Sequence, residues 1–265
     1  MPDKINNNSI GIFDSGVGGL TVVKEIINLL PDEKLVYLGD TARVPYGIKS
    51  KNTVIKYAKS NANFLLSRGI KILVIACNTA SAYSLDILQE ELTIPVIGVI
   101  EPGAKKAASS TKNGKIAVIG TPSTIRSEAY SKAINNINPA LKVFSKACPL
   151  FVPLAEEGWH SGDITKKIIE TYIEDILKED IDVMILGCTH YPLLKSAIKE
   201  VAGDKVQLID SAEETAREIS KNINTGISSE NNDNEFYLTD VSESFIRIAG
   251  NFLGNELSEV KLTDL

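Results

Sequence analysis

Apolar residues fall along this chain in two alternating rhythms. Short β-branched runs at Ile10–Phe13, Leu35–Leu38, Ile72–Ala76, Val96–Val99, Ile116–Ile119, Val183–Leu186 and Val206–Ile209 are continuous, as expected of strands buried on both faces. Between them, Leu20–Leu30, Val54–Leu66, Ala82–Leu92, Ile125–Ile137, Ile164–Leu177 and Leu193–Val201 repeat apolar residues at helical spacing. Strand and helix in turn predict an α/β fold with parallel sheets. Ligands of such sheets sit beyond the carboxyl ends of the strands, so the residues just after each apolar run carry the functional information.

Those residues repeat. KILVIACNTAS (Lys71–Ser81) aligns with DVMILGCTHYP (Asp182–Pro192), which brings Cys77 onto Cys188 at an offset of 111, with Thr79 and Thr189 close behind. IGIFDSG (Ile10–Gly16) aligns with IAVIGTP (Ile116–Pro122) at an offset of 106, matching Ser15 with Thr121. The two matches suggest two similar α/β halves, although short strand ends also align by chance. After Ile209 come a helix (Ala212–Asn222), a polar loop (Asn224–Asn234), a short strand (Phe236–Leu238) and a last helix, too little for a third core. The predicted division is a first domain of residues 1–98 with 209–265 and a second of 99–208.

Composition narrows the function. The net charge is −6 with no basic run, so nucleic acid is not expected as a partner. Residues 1–9 lack the apolar core of a signal peptide and no window is long and apolar enough for a membrane helix, so no membrane association is expected. Three cysteines without a close pair make no disulfide framework, and the chain reads as cytoplasmic with reduced thiols.

A single cysteine after an apolar strand is usually a small buried hydrophobe. Here the placement occurs twice, each time before polar residues: Asn78 and Thr79, then Thr189 and His190. A helix N-terminus after each would favour a thiolate. Redox chemistry would favour C-x-x-C, and zinc would need paired spacings that Cys77, Cys148, His160, Cys188 and His190 lack, so no metal is expected. One thiolate removing a proton from a carbon while an opposing thiol returns one suits the pair better. Such a reaction inverts a stereocentre.

GIFDSGVGGLT (Gly11–Thr21) is a strand, a turn and a helix whose glycines predict backbone amides open to a carboxylate or phosphate. It lacks the G-x-G-x-x-G and G-K-[ST] spacings of nucleotide loops. Asp14 would repel phosphate and suit an ammonium group, or simply cap the helix. Pro45, Tyr46 and Gly47 could present amides and a phenol to the cleft, or form a structural turn; Thr121 could face an anion or cap a helix. Glu156 and Glu157 precede Gly158-Trp159-His160 as a carboxylate pair of which one could face the site. Cys148, before Pro149, reads as core.

Taken together, DSGVGG (Asp14–Gly19), DTARVPYG (Asp40–Gly47), ACNTAS (Ala76–Ser81), PLAEEG (Pro153–Gly158) and LGCTHYPLL (Leu186–Leu194) resemble the glutamate racemase family along essentially the whole chain. The resemblance implies two pseudo-symmetric α/β domains with the active site in the cleft between them, no cofactor, L- and D-glutamate as substrates, a peptidoglycan role for the product and a homodimer. It implies that Cys188 deprotonates L-glutamate and Cys77 D-glutamate, Asp14 assisting Cys77, with Glu156 and His190 on the other side. Ser15, Pro45, Tyr46, Gly47, Asn78, Thr79, Thr121 and Thr189 would join these residues around the substrate. Related aspartate racemases resemble G-C-T-E rather than G-C-T-H, so His190 favours glutamate. The first run begins near residue 10, and activation through an amino-terminal extension is not expected. A racemase for another acidic amino acid, a non-catalytic amino acid binding protein and a metal-dependent hydrolase are the rival readings.

Overall fold

The computed structural model describes residues 9–223, 234–241, 243–254 and 259–265. The chain runs β1 (Ser9–Asp14), α1 (Leu20–Leu29), β2 (Leu35–Gly39), α2 (Lys51–Ser67), β3 (Ile70–Ile75), α3 (Asn78–Glu91), β4 (Val96–Gly98) and α4 (Ile100–Ser110). It continues through β5 (Lys115–Gly120), α5 (Pro122–Ser127), α6 (Ala129–Ile137), β6 (Lys142–Ala147), α7 (Phe151–Glu156), α8 (Asp163–Leu177), β7 (Val183–Gly187), α9 (Lys195–Ala202) and β8 (Gln207–Asp210). It closes with α10 (Ser211–Asn222), β9 (Glu235–Leu238), α11 (Glu243–Leu253) and β10 (Lys261–Leu262).

The strands form two sheets, β10-β9-β2-β1-β3-β4 and β6-β5-β7-β8, and every pairing is parallel. Strands β2-β1-β3-β4 of the first sheet and β6-β5-β7-β8 of the second have the same order, so the repeats in the sequence are repeats of topology. In each sheet the chain leaves the central strand to one side and returns to the other, which opens a crevice at the carboxyl ends of β1 and β3 and again at those of β5 and β7. Those four ends carry Ser15, Cys77, Thr121 and Cys188.

Period-2 alternation decides which core each side chain enters. Ile72 and Val74 of β3, with Ile185 of β7, point into a central apolar layer built from both sheets and from α1, α4, α6 and α10. Leu73, Ile75 and Cys77 point the other way, beneath α2 and α3. Met184, Leu186 and Cys188 enter the equivalent outer core beside α8 and α9, where Cys148 is also fully buried. Both site cysteines thus occupy the same step of the same alternation in their own half.

Four features depart from the sequence expectation. Strand β6 is a half-exposed edge whose apolar content is too low to read as a buried strand. Helix α4 is rich in small and polar residues, and its buried face is Ile100, Pro102, Gly103, Ala104 and Ala107. The predicted helix Ile125–Ile137 is two helices, α5 and α6, broken at Glu128, which takes a left-handed φ of 58°. Strand β8 pairs with β7 as far as Asp210, so the second sheet extends past residue 208 before α10 returns the chain to pack on α1. Strand β9 joins β2, putting the last segment on the first sheet, while residues 224–233 of the predicted polar loop lie outside the described residues.

Candidate active site

The strand ends enclose a cavity of about 140 Å³. Of the predicted site residues, Ser15, Pro45, Tyr46, Gly47, Cys77, Asn78, Thr79, Thr121, Glu156, Cys188, Thr189 and His190 line it together. Val44, Ile48, Pro122, Pro149, Val152 and Pro153 also line it, and among the described residues no lysine or arginine does. The polar side chains that an anionic ligand would meet here are neutral hydroxyls and amides together with His190 and Glu156. Among the described residues no group of His, Cys, Asp and Glu side chains could hold a metal ion.

On the first half, Cys77 caps the N-terminus of α3 and its Sγ donates to Ser15 Oγ at 3.7 Å. The sequence predicts a depressed thiol from this helix-end position. Instead burial pushes Cys77 up to about 12, with Asp14 raising it further against the Ala80 amide and Ser15 hydroxyl. A dry site beside a carboxylate outweighs one helix N-terminus, and Cys77 at rest is a thiol.

Asp14 is completely buried and stands behind the cavity wall. Burial raises its pKa, opposed by His190 and by the amides of Gly16, Gly19 and Ser15. The Gly16 amide donates to Oδ2 at 2.9 Å, while Oδ1 has no hydrogen-bond partner among the described residues. This corrects the expectation that the glycine turn offers its amides to a ligand: the turn wraps its own carboxylate. It corrects the helix-cap reading as well, because α1 is capped at Gly19 without a side-chain bond. The glycines permit close packing. A Cβ on Gly18 would stand 2.4 Å from Thr189 Oγ1 and 2.5 Å from His190 Nδ1, and one on Gly19 would stand 2.4 Å from Asp14 Cβ.

On the second half, Cys188 Sγ lies 3.9 Å from His190 Nδ1, and His190 Nε2 lies 2.9 Å from Glu156 Oε1. Burial works against the charged imidazole, but the hydrogen bonds and charges of Cys188 and Glu156 outweigh it and lift His190 to about 10. His190 is therefore an imidazolium at neutral pH, a charged donor aimed at Cys188. The open question of the carboxylate pair resolves to Glu156, which lines the cavity; Glu157 is exposed.

Side chains from both halves meet at the cavity edge. Thr79 Oγ1 lies 2.9 Å from Thr121 Oγ1 and 3.0 Å from Thr124 Oγ1, and Thr121 also caps α5 by accepting from the Thr124 amide. The Tyr46 phenol, read from sequence as a group for the cleft, instead donates to Asp40 and accepts from Asn61. Asp40 is fully buried and also accepts from Arg43 and Thr239. This network ties down the Pro45–Gly47 segment, all three residues of which line the cavity.

Sequence reasoning missed Asp40, Thr124, Tyr130 and Phe252. Asp40 and Arg43 at i, i+3 are a readable ion pair. Phe252 of α11 packs edge-on against the His190 ring with centroids 5.3 Å apart, a contact between residues 62 positions apart that nothing in local sequence announces.

Comparison with known proteins gives one family. Residues 10–219 match the Asp/Glu/Hydantoin racemase model. A glutamate racemase of Geobacter metallireducens is 54% identical, with 95% of each chain covered. The crystal structure of a glutamate racemase isoform from Bacillus anthracis superposes with a TM-score of 0.92 at 46% identity, covering 97% of this chain and 98% of that one. That of glutamate racemase from Francisella tularensis, in complex with D-glutamate, gives 0.89 at 39% identity with the same coverage.

Proposed function

The chain belongs to the Asp/Glu/Hydantoin racemase family, and from that footing we propose that it interconverts L- and D-glutamate without a cofactor, using Cys77 and Cys188 as two bases. The observation that carries the reading is that both thiols leave topologically equivalent strands in the same register and line one cavity.

With L-glutamate bound, Cys188 as thiolate takes the Cα proton and becomes a thiol. The carbanion then accepts the Cys77 S–H proton on its other face, giving D-glutamate and a Cys77 thiolate. The reverse direction exchanges the roles. Holding Cys77 near 12 keeps it protonated, as an acid must be at the start of the L-to-D turnover. His190 offers Cys188 a charged donor. The substrate ammonium brings a positive charge toward Asp14, whose Oδ1 lacks a partner among the described residues, and so weakens the field that holds the Cys77 proton. Carbanion charge is stabilised by the neutral donors Ser15, Thr79, Thr121 and Thr189, of which all but Thr121 are buried.

Incubating each enantiomer in heavy water tests this. The product is expected to carry deuterium at Cα from the first turnovers while the remaining substrate stays unlabelled, with optical rotation of L-glutamate decaying to zero. Equal early labelling of both enantiomers would point to a single base, and binding without loss of rotation would reduce the protein to an amino acid receptor.

In the cell we place this activity in the cytoplasm, where Cys77, Cys148 and Cys188, all free, stay reduced, and assign it the supply of D-glutamate to peptidoglycan. We further propose a homodimer: Val44 and Ile48 at the cavity wall, with Leu150 and Trp159, are large exposed apolar side chains. Light scattering is expected to return twice the chain mass of 28.7 kDa, and the monomer mass at micromolar concentration would reject it.

A further inference from the structure

Tyr130 stands at the start of α6, immediately after the left-handed Glu128 breaks that helix from α5. Its ring is wedged between two glycines: a Cβ on Gly187 would stand 3.1 Å from ring Cε2, and one on Gly103 would stand 3.4 Å from Cε1. Gly187 directly precedes Cys188. The hydroxyl reaches the other half and donates to Asn78 Oδ1 at 2.7 Å, on the residue that follows Cys77. Its second polar neighbour is the Ser211 hydroxyl. Burial raises the phenol pKa, so this group remains a neutral donor at every working pH.

Asn78 is 2% exposed and lines the cavity, and its Nδ2 has no hydrogen-bond partner among the described residues. A buried amide N–H₂ left unpaired costs stability unless something it faces can accept. We propose that Tyr130 is a positioning residue that locks the Asn78 amide with its carbonyl turned back and its N–H₂ turned into the cavity as a donor to a substrate carboxylate. This rests on the site being one for an acidic amino acid. The two amide orientations have nearly the same shape, and without the phenol the side chain can turn its carbonyl oxygen toward the anion. In a cavity that no lysine or arginine among the described residues lines, the loss of one neutral donor weakens binding directly.

Tyr130→Phe removes one oxygen and keeps the wedged ring. Its KM for both enantiomers is expected to rise about five- to tenfold with kcat within about twofold. Asn78→Ala should raise KM at least as much, and the double variant should match Asn78→Ala alone, because the phenol acts only through that amide. A KM unchanged in Tyr130→Phe, or effects that add in the double variant, would overturn the role. A purely structural tyrosine predicts that additive outcome together with a lower melting temperature. Should Tyr130→Phe not fold, Asn78→Ala decides alone: an unchanged KM there overturns the proposal, and a raised KM supports it. Wild-type enzyme assayed alongside separates the two levels. If it does not racemise glutamate, both readings fall; if it does and Tyr130→Phe matches it, only the positioning role falls.

Discussion

Replacing either Cys77 or Cys188 with serine is expected to lower racemisation by roughly 10³–10⁴-fold in both directions, the full contribution of a positioned acid or base. Serine is the informative replacement because each sulfur is packed in an outer core, where alanine would remove volume as well as chemistry. A hydroxyl keeps most of the shape and loses a proton far less readily than a thiol. The variants should differ in what they retain. Cys77→Ser leaves Cys188 able to remove the Cα proton of L-glutamate and return one from solvent to the same face, so L-glutamate exchanges deuterium in heavy water without inverting, while D-glutamate does not exchange. Cys188→Ser gives the mirror result. Nuclear magnetic resonance at Cα reads both. Retained racemisation within tenfold of wild type would end the two-thiol mechanism, and exchange of the wrong enantiomer would reverse the assignment of the faces.

That Cys77 sits near 12 while His190 sits near 10 makes the resting site asymmetric, although the fold around it is nearly symmetric. The asymmetry comes from what each half places beside its cysteine. The first half buries a carboxylate, Asp14, as the last residue of β1; at the equivalent end of β5 the chain has Gly120, followed by Thr121, and no charge. The second half instead brings a histidine two residues after the cysteine and a carboxylate from α7 to hold it. Lowering a thiol by one unit corresponds to about 1.4 kcal/mol, so readying Cys77 for the reverse direction takes several such steps, of which a substrate ammonium near Asp14 offsets the part that this carboxylate imposes and not the part due to burial.

The parts of this site legible in the sequence are those set by burial and period. Strands covered on both faces must be continuous apolar runs, so the ends of β1, β3, β5 and β7 could be placed, and the cysteines followed from them. The glycine turn differs from its sequence reading because its own aspartate is tethered within reach of its amides, and the Gly16 amide donates to it. Tyr130 and Phe252 were invisible for a different reason. Each is an aromatic on an amphipathic helix, and only the break at Glu128 and the return of α11 bring them to Asn78 and His190.

Neutralising Glu156 tests the other half. His190 is charged because Cys188 and Glu156 together overcome the cost of burial, so Glu156→Gln removes one of the two supports and His190 titrates at lower pH. The sign follows directly. The imidazolium is the competent form, present below the pKa of His190 and lost as pH rises through it, near 10 in the wild type. The alkaline limb of kcat/KM should therefore move to lower pH in Glu156→Gln, with activity at pH 9 down by about 10–100-fold and the neutral-pH loss smaller. His190→Asn removes the titrating group and should cost about 10²–10³-fold at neutral pH while abolishing that limb. The effect should be directional: because His190 serves Cys188, deprotonation of L-glutamate, read as its solvent exchange, should fall more than that of D-glutamate. A Glu156→Gln profile that overlays the wild type would mean that the 2.9 Å contact holds the ring in place without setting its charge. Equal losses for the two enantiomers would mean that His190 acts on the carbanion rather than on Cys188.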